Sequence, residues 1–93
     1  MIKAWDDFAW EDYLYWQRQD KKTLKRINQL LQDIDRNGYF GIGKPEPLKG
    51  NLQGYWSRRI DDVNRLVYRI IDNRIEILQC RSHYSNLSSY SGR

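Results

Sequence analysis

Apolar and polar positions change period part-way along the chain. Residues 2–5 are short and apolar-leaning and read as a strand. Asp6 then stands where a helix N-cap is expected, with Asp7 placed to meet the positive end of the helix dipole. Ala9, Tyr13 and Trp16 fall on one helical face, with Trp10 and Leu14 beside it, and the pattern ends near Arg18. Asp20 is a second N-cap. After it Leu24, Ile27, Leu31 and Ile34 keep helical spacing, while Lys21, Lys22, Lys25 and Arg26 face water. Asn37 and Gly38 tolerate left-handed backbone and stop the helix, so the first part of the chain predicts an αα-hairpin.

Residues 38–54 show no period. They hold five glycines and both prolines, and so predict a long loop, stiffened around Glu46 by Pro45 and Pro47. Three strands are predicted next: 55–60, then a turn at 61–64; 65–71, then a short hairpin turn at 72–73; and 74–82. Alternation places Leu66, Tyr68 and Ile70 opposite Arg65, Val67 and Arg69. It places Trp56 and Ile60 opposite Tyr55, Ser57 and Arg59, and Leu78 and Cys80 opposite Gln79, Arg81 and His83. One sheet face is then apolar enough to cover the helices, and the other gathers Arg59, Arg65, Arg81 and His83. The predicted class is α+β, two N-terminal helices packed on a twisted antiparallel sheet. Residues 1–84 form one domain, and 85–93 are a flexible Ser/Asn/Gly tail.

Ninety-three residues allow one modest core. Charge is unevenly spread: residues 1–37 balance seven Lys/Arg against seven Asp/Glu, whereas 38–93 carry nine against five. A basic, arginine-rich half suits a polyanion such as RNA, or an acidic protein partner. The single cysteine, Cys80, excludes an internal disulfide and lies in an apolar strand pattern, as a buried inert thiol would. One His and one Cys three residues apart make no closed ligand set, so no metal and no other cofactor is expected. Neither a signal peptide nor a membrane-length apolar run is visible, so the expectation is a soluble cytoplasmic protein.

A few groups suffice to cleave RNA without a metal. A base takes the ribose 2′-hydroxyl proton, cations hold the phosphate, and an acid protonates the departing 5′-oxygen. Glu46 and His83 are the natural base and acid. Arg59 and Arg65 are the natural clamps, with Lys49, Arg58 and Arg81 as further phosphate-binding cations. Tyr84 and Tyr55 can stack on a base. The same residues also admit plainer roles: His83 and Glu46 as solvated surface groups, Arg59 and Arg65 paired with Asp61 and Asp62. Composition and spacing alone therefore leave a nuclease, an RNA-binding module and a protein-binding module open.

The segments Trp10-Glu11-Asp12-Tyr13-Leu14-Tyr15-Trp16-Gln17, Gly43-Lys44-Pro45-Glu46-Pro47-Leu48-Lys49, Gly54-Tyr55-Trp56-Ser57-Arg58-Arg59-Ile60, Arg65-Leu66-Val67-Tyr68 and Cys80-Arg81-Ser82-His83-Tyr84 resemble the Txe/YoeB toxins of bacterial toxin–antitoxin pairs, in the RelE superfamily. The resemblance spans residues 1–84 almost without gaps. It implies a microbial-RNase-like, RelE-type fold and an mRNA interferase that cuts mRNA in the A site of the 70S ribosome. It also implies a cognate antitoxin of the YefM/Phd type, the capacity to form a homodimer, and no membrane partner. Through it Glu46 matches the general base, His83 the general acid and Arg65 the phosphate-stabilising arginine. Arg59 and Lys49 match supporting cations, and Tyr84 a substrate-positioning tyrosine. A non-catalytic ribosome binder and a ParE-type gyrase poison are the alternatives. Val63 and Asn64 stand where close relatives often carry an acidic residue and a histidine, and the chain continues to Arg93 where the family usually ends at the His-Tyr pair.

Overall fold

The computed structural model describes residues 1–82. Strand β1 (Ile2–Trp5) leads through Asp6 into helix α1 (Asp7–Gln19), and Asp20 turns the chain into α2 (Lys21–Asn37). The two predicted caps hold: Asp6 accepts from the Phe8 N–H at 3.0 Å, and Asp20 from the Lys22 and Thr23 N–H groups at 3.1 and 3.3 Å. Gly38 ends α2 with φ of 64°, its N–H reaching back to the Ile34 carbonyl.

The rest of the chain makes strands β2 (Glu46–Pro47), β3 (Trp56–Arg59), β4 (Arg65–Ile71) and β5 (Arg74–Gln79). Asp72 and Asn73, both at positive φ, turn β4 into β5. The sheet order is β1-β5-β4-β3-β2. Two helices against this sheet give the predicted α+β class, but the sheet is mixed rather than antiparallel. β1 pairs with β5 in parallel, Ile2 opposite Arg74 and Trp5 opposite Ile77. The N-terminal strand runs straight into α1, and the long connection that follows lets β5 return alongside it in the same direction.

Both helices cover one sheet face. Ala9, Trp16, Ile27, Leu30, Leu31 and Ile34 meet Ile60, Leu66, Tyr68, Ile75, Ile77 and Cys80 in the main core. Each fully buried Leu or Ile there contributes about 1.5–3 kcal/mol. A smaller cluster, Leu48 and Val67 with Leu52, Tyr55 and Leu78 against them, lies on the other face. Leu48 and Leu52 come from the glycine-rich stretch. That stretch is more structured than its sequence suggests, carrying β2 and a 3₁₀ turn at Gly50–Leu52.

Register corrects one parity reading. Val67 pairs with Gln79, yet Tyr68 pairs with Ile77, so Leu78 is an extra residue in β5. The bulge shifts the alternation by one position. Leu78 therefore sits with Val67 on the open face, while Cys80 joins the helix-covered core. Asp12 accepts from the Cys80 N–H at 3.2 Å and the Trp16 indole N–H donates to its carbonyl at 2.8 Å, so α1 pins the end of β5. Burial and then the Asp12 charge push the Cys80 thiol far above its ordinary pKa, consistent with an inert core cysteine.

Candidate RNA-cleavage site

Paired residues share a sheet face, so the register lays out the open side. Glu46 is opposite Ser57, Ser57 opposite Val67, and Val67 opposite Gln79, forming one line across four strands. Arg59 and Arg65 are opposite each other two residues further along the same face. Arg59 thus lies about 5 Å across and about 7 Å along from Glu46, with Arg65 one strand further. Long side chains on one face meet over such diagonals. The carboxylate and both clamps predicted from sequence therefore share the helix-free face. Glu46 does so from a two-residue edge strand, not from the free loop expected. Lys49 follows at the start of the 3₁₀ turn, and Glu46, Lys49 and Arg59 are exposed.

Arg65 is held more tightly. It is 8% exposed, and its Nη1 donates to the Asp61 and Asn64 carbonyls at 2.6 and 3.1 Å. The alternative of an Arg65–Asp61 ion pair is not what forms. The Asp61 carboxylate instead accepts from the Val63 and Asn64 N–H groups and from the Asn64 side-chain amide. Burial pushes the Asp61 carboxyl up, but these donors and the Arg65 charge outweigh it and hold the group below the usual carboxylate range. The backbone of Arg65 reaches the segment that follows β5: its N–H donates to the Ser82 carbonyl at 3.0 Å. His83, Tyr84 and the 85–93 tail lie outside the described residues.

Two of the expected phosphate-binding cations are placed elsewhere. Arg58 pairs with Leu66 and is completely buried under the helices. Its guanidinium bridges to the Asp33 carboxylate and donates to Gly38, Phe40 and Ile42 carbonyls and the Tyr68 hydroxyl, which leaves it no open face for phosphate. Parity with Trp56 and Ile60 was the signal that it points inward. Arg81 stays exposed but follows the bulge. It stacks over the Tyr15 ring of α1, 3.5 Å from the centroid, instead of joining Arg59 and Arg65.

Residues 5–84 match the family described as YoeB-like toxin of bacterial type II toxin-antitoxin system. The chain belongs to that family. Toxin YoeB of Streptomyces coelicolor is 59% identical over 76 residues, covering 82% of this chain and 90% of its own. Among solved structures, the YoeB–YefM complex from Staphylococcus aureus superposes with a TM-score of 0.85 at 53% identity, covering 90% of this chain and 98% of that one. The YoeB dimer from the same organism gives 0.85 at 54% identity with the same coverage.

Around the predicted residues lie four that sequence reading did not single out for the site: Asp33, Gly41, Asn64 and Gln79. Asp33 anchors Arg58, and Ile42 N–H also donates to its carboxylate, tying α2 to the loop that leads to Glu46. The Arg58 guanidinium, through its hydrogen bond, holds the Asp33 carboxyl below its ordinary pKa against the opposing effect of burial. Gly41 lies against this pair: a Cβ there would come within 1.9 Å of an Asp33 oxygen, at a φ of 126° that disfavours side chains. Gln79, 1% exposed, donates to the Arg65 and Ser82 carbonyls, and Asn64 accepts from the Ser82 N–H. Farther along the open face, beyond the Val67 cluster, Arg69 and Glu76 pair across β4 and β5 at 2.7 Å in a cleft of about 290 Å³ that Tyr55 and Leu78 also line. Among the described residues no group of three or more His, Cys, Asp or Glu is placed to hold a metal, and no helix is long and apolar enough to cross a membrane.

Proposed function

We propose that this YoeB-like toxin is a ribosome-dependent endoribonuclease that cleaves mRNA in the ribosomal A site and so stops translation. The observation that carries the reading is the register: Glu46, Arg59 and Arg65 lie on one uncovered face, and Arg65 is bonded to Ser82, the chain neighbour of His83. Glu46 accepts the 2′-hydroxyl proton. The oxygen forms a new bond to the adjacent phosphorus as the bond to the 5′-oxygen breaks, and His83 gives that oxygen its proton. A 2′,3′-cyclic phosphate and a free 5′-hydroxyl result. Arg65 and Arg59, with Lys49 nearby, hold the charge that builds on the phosphate oxygens, and Tyr84 positions the substrate. Arg65 suits this role because its Nη1 is fixed by two carbonyls, which holds the guanidinium in place on the face shared with Glu46 and Arg59. The chain supplies these groups without calling on a cofactor. A YefM-type antitoxin is the partner we assign, supported by the Staphylococcus aureus YoeB structure, which is a complex with YefM, and the YoeB dimer of that organism supports a capacity for self-association.

Glu46→Gln and His83→Gln should each slow cleavage of ribosome-bound mRNA by about 10²–10⁴-fold, the size of one lost proton transfer, and relieve growth arrest on induction. Both proteins should remain folded by circular dichroism. Full toxicity in both variants would replace the enzyme with a non-catalytic ribosome binder, and DNA damage without mRNA cleavage would point to gyrase.

A further inference from the structure

We propose that Asn64 is a positioning residue: its side-chain amide clasps Ser82 to the loop ahead of Arg65 and so sets the path on which the chain delivers residue 83. The role rests on the ribonuclease reading above, in which residue 83 is the acid. The clasp itself is built from described groups. Asn64 Oδ1 accepts from the Ser82 N–H at 2.6 Å, and Asn64 Nδ2 donates to both oxygens of Asp61 at 3.2 and 3.0 Å. Asp61 in turn accepts from the Val63 and Asn64 N–H groups at 2.8 and 2.6 Å, a tight Asx turn that fixes the amide plane. The Asn64 carbonyl accepts from Arg65 Nη1, so one residue orients the clamp through its backbone and Ser82 through its side chain.

Ser82 is where such a hold is needed. Its φ is 63°, left-handed backbone that a residue with a Cβ adopts only when its surroundings impose it. The Arg65 N–H and the buried Gln79 amide both donate to its carbonyl, at 3.0 and 2.9 Å, and Asn64 takes its N–H. Ser82 is thus held through both its N–H and its carbonyl, one position before residue 83 in the sequence. The chemistry of the position is narrow. The site needs one acceptor for Ser82 and one donor for Asp61 from the same short side chain. Alanine offers neither, and aspartate would set a second negative charge against Asp61. A neutral histidine carries one acceptor nitrogen and one N–H donor, so it offers the same pair of functions as the amide.

Asn64→Ala and Asn64→His should be compared with the native toxin in two experiments. In single-turnover cleavage of mRNA on programmed ribosomes, Asn64→Ala should lower the rate constant at saturating toxin by about 10²-fold, the cost of a small displacement of a catalytic group, with the half-saturating concentration unchanged. Asn64→His should recover most of that loss. In amide hydrogen exchange on the free protein, Ser82 should be protected in the native chain and lose that protection in Asn64→Ala, while amides of the main core keep theirs. Cleavage by Asn64→Ala at the native rate, or a loss matched by a fall in the folded fraction, would overturn the positioning role. An unprotected Ser82 amide in the native chain would overturn the clasp. A native toxin that cleaves no mRNA would remove the ribonuclease reading and the catalytic role of Asn64 together, whereas the exchange result stands independently of it.

Discussion

Arg58 shows how one residue's environment decides its role. Its neighbour Arg59 has the same side chain and lies exposed on the open face, whereas Arg58 is sealed between α2 and the sheet. Composition treats the two alike, and only alternation separates them, because Arg58 shares parity with Trp56 and Ile60. A buried guanidinium is tolerated here because a carboxylate, three carbonyls and a tyrosine hydroxyl meet its donors. Removing one partner leaves the other charge without compensation. Arg58→Ala should therefore cost about 3–5 kcal/mol, measured as a lower midpoint in urea denaturation, while Arg59→Ala should leave that midpoint nearly unchanged and weaken cleavage. Asn64 was read from sequence as part of the 61–64 turn and as a departure from its relatives. Its function depends on a bond to a residue eighteen positions away, which no local pattern encodes.

Elements defined by their own sequence were legible, and those defined by a distant partner were not. The caps at Asp6 and Asp20, the stop at Gly38, and the β4 strand with its Asp72-Asn73 turn all follow from short-range chemistry, and each is in the structure as read. The parallel placement of β1, the two residues of β2 and the bulge at Leu78 are set by pairing, so they appear only once register is known. Helix α2 is also held by acids along its length. Asp20 bonds Thr23 at its start, and near its end Asp33 meets Arg58 and Asp35 meets Lys3 and the N-terminal ammonium. Those hydrogen bonds hold all three carboxyls below their ordinary value. With the folded pKa values depressed below about 3.9, the stabilisation is complete above that pH and is lost as pH falls through the folded values. Thermal unfolding should show a steady midpoint from pH 7 to 5 and a steep fall below pH 4, and in Asp33→Asn, if the variant folds, the fall should be shallower.

Over the whole molecule, one face of the sheet is covered by the helices, and the other is the face to which we assign the chemistry. The helices fill the first, and the second carries Glu46, Arg59 and Arg65 around a small apolar cluster. This division was visible in the alternation of β3 and β4, but the convergence of Glu46 with the arginines required the β2–β3 pairing. The family match spans residues 5–84, and we propose 1–84 as the toxin domain. Truncation after Tyr84 should leave ribosome-bound mRNA cleavage within about twofold of the full chain. Abolished cleavage in a folded truncated protein would place part of the active unit in 85–93.

The two faces nevertheless meet at the Arg58–Asp33 pair, which joins α2 to the loop carrying the chain toward Glu46. In genetic terms, loss of toxicity has two routes through this molecule. Survivors selected on the intact toxin would include changes at Asp33, Gly41 and Arg58 as well as at the groups to which we assign RNA contact, and by phenotype alone the two classes would look the same. An inventory of inactivating alleles is thus a map of this anchor as much as of the chemistry, and only the amount of folded protein that each allele leaves separates them.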